Sequence, residues 1–163
     1  MDLPFDRMSE AGPLSEREFH EIYARVPRLT VEIVLADQRG VLLTRRAIDP
    51  CRGLWHIPGG TVHFGERLLS SVRRVAEKEL GIRVIDAQVA GLVEYPSHFE
   101  AGFDHPVGIA FRVTEHDGEL RVGPEASEHG WFRELPTPMH DEQVRFLEGL
   151  GLAVAPRSGP APR

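Results

Sequence analysis

Apolar and polar positions along this chain follow two periods. Between Leu68 and Leu80 they recur at helical spacing: at about 100° per residue, Leu68, Leu69, Val72, Val75, Ala76 and Leu80 share one stripe. Gly81 follows, at the position where helices commonly end. The spacing predicts a helix over about 66–80 as the centre of the chain. Glu79 falls inside the apolar stripe, between Val75 and Val72, whereas Glu77 points the opposite way with Ser70 and Arg73. A carboxylate on an inward face is costly unless something pairs with it. Glu79 therefore calls for a buried arginine, a set of N–H donors or a metal ion.

The remaining elements read as shorter units. Ser15 and Glu18 make a capping-box pair opening a helix whose face is Phe19, Ile22, Tyr23 and Val26, stopped by Pro27. Leu29 to Ala36 is a strand by its β-branched content. The turn 37–40 then leads to a return strand, Val41 to Thr44, as a hairpin. Ile82–Val84, Gln88–Glu94 and Val107–Thr114 read as strands, separated by a loop or loose hairpin end over 95–106. Asp117-Gly118 is a turn, 119–122 a short strand, 123–129 a polar loop, Trp131-Phe132 the start of an edge element, and 138–150 a final helix. Residues 1–13 are expected to form a flexible or partner-docked arm, 14–152 one domain, and 153–163 a disordered Pro-rich tail. Hairpin-linked strands with a central and a terminal helix imply an α+β fold, a mixed β-sheet flanked by helices.

Composition narrows the function. A chain of 163 residues with 41% hydrophobic content supports one full core. A net charge of -6 argues against nucleic acid as the main partner. No apolar run approaches the ~20 residues of a spanning helix, and the start has no basic-then-apolar leader, so no membrane partner and a cytoplasmic location are expected. Cys51 is the only cysteine, which leaves no intrachain disulfide and no Cys-rich zinc site. His56, His63, His105, His116 and His140 show no zinc-ligand spacing.

Gly60, Glu66, Arg74, Glu79, Gly81 and Ile82 stand at the fixed spacing of G-x5-E-x7-R-E-U-x-E-E-x-G-U, where U is bulky and aliphatic. This resembles the box of the Nudix hydrolases. The resemblance implies an α/β/α sandwich that hydrolyses a nucleoside diphosphate linked to another moiety with Mg²⁺ or Mn²⁺. Two departures from the pattern matter: Val75 and Lys78 replace box glutamates, so the helix keeps Glu79 alone of them. The same two losses resemble one branch, the GDP-mannose mannosyl hydrolases, as do 14–40, 45–60 and Ser97-His98-Phe99. That branch implies attack by water at the sugar carbon, with GDP leaving, and a homodimer.

The resemblance also implies residue roles. The Gly59 carbonyl and Glu79 would bind the metal, with a third ligand from Glu125 or Glu128. Arg46 would neutralise charge on the departing diphosphate, with Arg52 a second basic candidate. Glu32 and His98 would contact the nucleotide or sugar. Gly60, Glu66, Arg74 and Gly81 would be architectural, Glu66 and Arg74 as an ion pair. The general base is left between His129 and Glu128. Three readings follow: a nucleotide-sugar hydrolase attacking carbon; a pyrophosphohydrolase of ADP-ribose or a nucleoside triphosphate, with replacement carboxylates from the late loop; and a nucleotide-binding regulatory domain without turnover.

Overall fold

A computed structural model describes residues 14–155; the expected N-terminal arm and most of the expected tail lie outside it. The chain opens with α1 (Glu16–Tyr23), capped as its sequence implies: the Ser15 side chain accepts from the Glu18 N–H, and Glu18 reaches back to the Ser15 backbone. Strand β1 (Arg28–Val34) is the buried centre of a four-stranded sheet. Its order is β5 (Gly59–Thr61), β1, β7 (Pro106–Asp117) and β6 (Arg83–Glu94). Only the β1–β7 pairing is parallel, so the sheet is mixed as expected.

A second sheet is built on β3 (Gly40–Arg46), which pairs with β2 (Ala36–Asp37), β4 (Trp55–His56) and β8 (Ala126–Phe132), all antiparallel. The expected hairpin between β1 and β3 is thus only its tip. Two register pairs, Ala36 with Val41 and Asp37 with Gly40, close the turn, and the two long strands then diverge into different sheets. Both strands are buried on both faces, which one continuous two-stranded ribbon cannot achieve.

Helix α2 (Leu68–Leu80) covers one face of the first sheet. Val72, Val75, Ala76 and Leu80 meet Val31, Ile33 and Leu35 from the odd-numbered side of β1. Gly81 ends the helix at φ 68°, in the left-handed region that favours glycine. The helix begins later than its periodicity suggests, because the Glu66 side chain accepts from the His63 N–H at 3.0 Å and folds the preceding loop back on itself. The even-numbered side of β1 faces a second core formed with Tyr95, Ala110 and Leu147 of α4 (Asp141–Gly149).

Five further expectations are corrected. Residues 96–100 form a short helix, α3, inside the expected loop. Residues 119–122 are not a strand: Arg121 and Gly123 donate their N–H groups to the Leu80 and Glu79 carbonyls, so this segment satisfies the open end of α2. Residues 126–129 are not loop but the start of β8, which Trp131 and Phe132 end rather than begin. The final helix starts at Asp141, not Pro138. The packed chain continues past Leu152: Ala153 is buried, and Val154 exchanges backbone hydrogen bonds with Arg133 and Leu135.

Candidate active site

The site forms where α2, the edge strand β5 and the end of β3 meet. Glu79 is the only carboxylate of α2 that is buried, 6% exposed. Burial pushes its carboxyl pKa up, and neighbouring Glu125 adds to the rise. Arg74 does not neutralise it, because Arg74 forms a bidentate pair with Glu66 at 2.7 and 2.8 Å and donates to the Thr61 carbonyl. Burial raises the Glu66 carboxyl, but Arg74 outweighs it and holds the group at about 2. The partner of Glu79 is Lys78, whose Nζ lies 3.4 Å from Glu79 Oε1 and 2.8 Å from Glu125 Oε1. Two carboxylates are thus held together by one half-exposed ammonium.

Glu125 reaches this place through backbone contacts. Ala47 donates to the Glu125 carbonyl at 2.8 Å, and Gly123 donates to the Glu79 carbonyl at 2.9 Å. The approach at Gly123 is so close that a Cβ there would meet the Lys78 carbonyl oxygen at 2.3 Å. The missing box glutamate has a packing counterpart. Val75 is 2% exposed, and a Cβ on Gly60 would come within 2.9 Å of it, so helix and Gly-Gly strand touch at this position.

Gly59 lies on the sheet edge. Ile33 donates to the Pro58 carbonyl and Val62 to the Leu29 carbonyl. By the alternation of an antiparallel ladder, the carbonyls of Gly59 and Thr61 then face away from β1. Arg74 takes that of Thr61. Among the described residues no three His, Cys, Asp or Glu side chains converge as a metal site. The donors that do fit a hard divalent ion are oxygens: Glu79, Glu125 and the Gly59 carbonyl. Such an ion commonly completes its shell with water and substrate phosphate.

Arg46 is the hub. Its Nε donates to the Pro50 carbonyl at 2.5 Å, and its charge acts on Glu79, His56, Cys51 and His140. The ring of His56 is buried between Thr44 Oγ1 (3.4 Å) and the Ile57 carbonyl (2.9 Å), and burial lowers its pKa to about 4, so it is neutral. Glu32 also faces this side. It is 6% exposed and bonded to Thr30 at 3.0 Å. Its carboxylate occupies two notches, 2.4 Å from where a Gly59 Cβ would stand and 2.6 Å from that of Gly108. Burial raises its pKa to about 7 against the pull of Thr30 and Tyr95. Tyr95 links through Gln143 to the Ile57 N–H.

Other expected residues stand apart. Arg52 pairs with Asp49 on the surface. Glu128 pairs with Arg45 at 3.0 Å, both side chains well exposed. Among the described residues, the carboxylate whose charge raises Glu79 is Glu125. His129 is exposed, opposite Thr44 in the β3–β8 ladder. Sequence reasoning missed the surroundings of His98. Its Nδ1 lies 2.9 Å from Asp104 Oδ1, and its Nε2 is 3.9 Å from Cys51 Sγ. Asp104 is in turn paired with Arg28 Nε. Arg28 also donates to Thr61 Oγ1 at 2.9 Å and stacks on Phe19.

The NUDIX domain family model matches residues 26–149. The chain is 34% identical over 141 residues, 84% of its own length and 90% of the relative's, to the low-salt glycan biosynthesis protein Agl8 of Haloferax volcanii. It is 28% identical over 106 residues, 65% of its length and 62% of the relative's, to an ADP-ribose pyrophosphatase of Methanocaldococcus jannaschii. Among solved structures it resembles a MutT NUDIX hydrolase from Burkholderia pseudomallei, with TM-score 0.69 and 30% identity, covering 76% of this chain and 98% of that one.

Proposed function

This chain belongs to the Nudix family of hydrolases, and we propose that within it the protein hydrolyses a nucleoside-diphosphate sugar of the GDP-mannose type with one divalent ion, Mg²⁺ or Mn²⁺. Water attacks the anomeric carbon, and the nucleoside diphosphate leaves. The observation that carries this reading is the donor set: α2 offers one buried carboxylate, Glu79, with Val75 and Lys78 where the box has two more. The glycan-biosynthesis name of the Haloferax relative supports a sugar-bearing substrate.

Glu79, Glu125 and the Gly59 carbonyl would hold the ion. Once bound, it would place positive charge on the diphosphate oxygens. Arg46 adds a fixed cation on the same oxygens, where charge develops as the anomeric C–O bond breaks. Lys78 must give up its two carboxylates when the ion enters, and its half-exposed side chain is free to swing into solvent. Glu32, wedged against the backbone of β5, supports the edge strand that presents Gly59. A homodimer, with the exposed Ile22 and Val26 near α1 at the contact, belongs to the same proposal.

One observation favours a second reading: the ADP-ribose pyrophosphatase of Methanocaldococcus together with the second carboxylate, Glu125, supports attack at phosphorus. Hydrolysis of GDP-mannose in ¹⁸O-labelled water separates the two. Label in the sugar upholds the proposal, and label in a phosphate replaces it with the second reading. Binding without turnover across a panel of nucleoside diphosphate derivatives points to a regulatory domain.

A further inference from the structure

Lys78 stands where the box pattern has a glutamate. A glutamate there would add an oxygen ligand; this chain puts a cation in its place, one residue before Glu79. A merely solvated lysine would extend away from the end of α2. The Lys78 side chain instead enters the gap between two carboxylates carried by different elements, Glu79 on α2 and Glu125 just before β8. Its Nζ lies 3.4 Å from Glu79 Oε1 and donates to Glu125 Oε1 at 2.8 Å.

The backbone holds the two carboxylates where they are. Gly123 donates to the Glu79 carbonyl at 2.9 Å, Ala126 to the Gly123 carbonyl at 3.2 Å, and Ala47 to the Glu125 carbonyl at 2.8 Å. Both sides of Glu125 are thus tied to α2 or to the end of β3. Lys78 is the mobile member: its ammonium is half-exposed, whereas Glu79 is buried. A lysine ammonium is a point charge on a flexible four-carbon stem.

Lys78 and a divalent ion call for the same oxygens. An ion that takes Glu79 and Glu125 displaces the ammonium from both. The half-exposed side chain that makes room for the ion need not stay in solvent. Oxygens bound to one Mg²⁺ at about 2.1 Å in octahedral geometry lie about 3 Å from one another. Phosphate oxygens that share an ion with Glu79 therefore come within a few ångström of the oxygens that Lys78 leaves.

We propose that Lys78 is a shared counter-ion of this site: it pairs with Glu79 and Glu125 before the ion arrives and passes to the diphosphate when ion and substrate are both bound. This rests on the metal donor set of the reading above and holds for attack at carbon or at phosphorus. Lys78 thus opposes the ion when substrate is absent and holds the diphosphate when the ion is present.

The test measures binding, not turnover, on the full chain. Mn²⁺ is followed without nucleotide by the loss of its free-ion paramagnetic resonance signal, and GDP is followed by calorimetry at saturating Mn²⁺. Lys78→Met keeps the stem and removes the charge. It should tighten Mn²⁺ by about 3–10-fold, the scale of two half-exposed ion pairs, and should weaken GDP by a similar factor. The two effects have opposite signs. A lysine that only knits Glu125 to α2 would, when replaced, weaken both ligands together. That outcome overturns the inference, as does an unchanged affinity for either ligand. Glu79→Gln is measured beside it. Wild-type Mn²⁺ binding in Glu79→Gln removes the metal site and the underlying reading with it, whereas lost Mn²⁺ binding upholds the site and leaves the Lys78→Met result to judge Lys78 alone.

Discussion

Glu32 and His56 are buried titratable groups whose effects on stability oppose each other. The Glu32 pKa rises from an ordinary 4.5 to about 7 in the fold, chiefly by burial. The folded state therefore binds its proton more tightly than the unfolded state does. Stability is fully present below pH 4.5 and is lost as pH rises through 7. At 1.36 kcal/mol per pKa unit, the difference between 4.5 and 7 costs about 3 kcal/mol. The His56 pKa falls from 6.5 to about 4, again chiefly by burial. Its stability is present above pH 6.5 and is lost as pH falls toward 4, by about 3 kcal/mol. Between pH 4.5 and 6.5 the two slopes cancel. Glu32→Gln keeps the shape and the bond to Thr30 but removes one slope. The variant should gain stability relative to wild type by about 3 kcal/mol between pH 4.5 and 7.5, because every other titrating group is common to both proteins. Urea unfolding of the metal-free chains across this range, with the m-value constant, measures that difference directly. A difference that does not change with pH would refute the reasoning, and one that falls with rising pH would reverse its sign.

Three further perturbations follow from contacts in the structure. Glu79→Gln should lower the metal-dependent rate by at least about 10²-fold and raise the Mg²⁺ concentration needed for half-maximal rate; an unchanged metal titration removes Glu79 from the site. Glu66→Gln breaks the bidentate pair with Arg74 and should destabilise the fold by about 1–3 kcal/mol, read as a shift in urea midpoint, while the position of ¹⁸O in product stays the same. Gly123→Ala puts a Cβ 2.3 Å from the Lys78 carbonyl. It should cost about 1–3 kcal/mol in urea unfolding and weaken Mg²⁺ activation, since the same segment carries Glu125; wild-type behaviour in both assays would show that the segment tolerates displacement.

What the sequence disclosed is what local chemistry decides. The Ser15–Glu18 capping box, the Gly81 stop and the inward turn of Glu79 are set within a few residues of each other, and all three are found in the structure. The pairing of Glu66 with Arg74, which the family resemblance implies, is also formed. The elements misread are those stabilised from a distance. Residues 119–122 have strand-forming side chains, yet their backbone is drawn to the unsatisfied carbonyls of α2. Strand β8 begins at Ala126 because β3 offers a free edge, not because Ser127, Glu128 and His129 favour a strand. Asp104 and Arg28 lie 76 positions apart, and no periodicity joins them. The resemblance gives Glu32 a contact with nucleotide or sugar, but nothing near it in sequence announces the two distant glycines that leave the space its carboxylate fills.

The charge balance around α2 connects the altered box to the need for a protein base. Glu79 and Glu125 carry two negative charges, and Lys78 returns one positive charge at 2.8 and 3.4 Å. With Lys78 swung away, one divalent ion neutralises the pair. Two-metal hydrolysis places one ion on the attacking oxygen and one on the leaving oxygen. On the proposed reading, a single ion held by Glu79 would serve the leaving diphosphate and would leave the nucleophile without a metal to lower its pKa. The water must then lose its proton to a side chain. The loss of glutamates from α2 and the need for a proton acceptor among the side chains are therefore two parts of one chemical requirement, which is why varying Glu79 should alter metal dependence while varying the base should not.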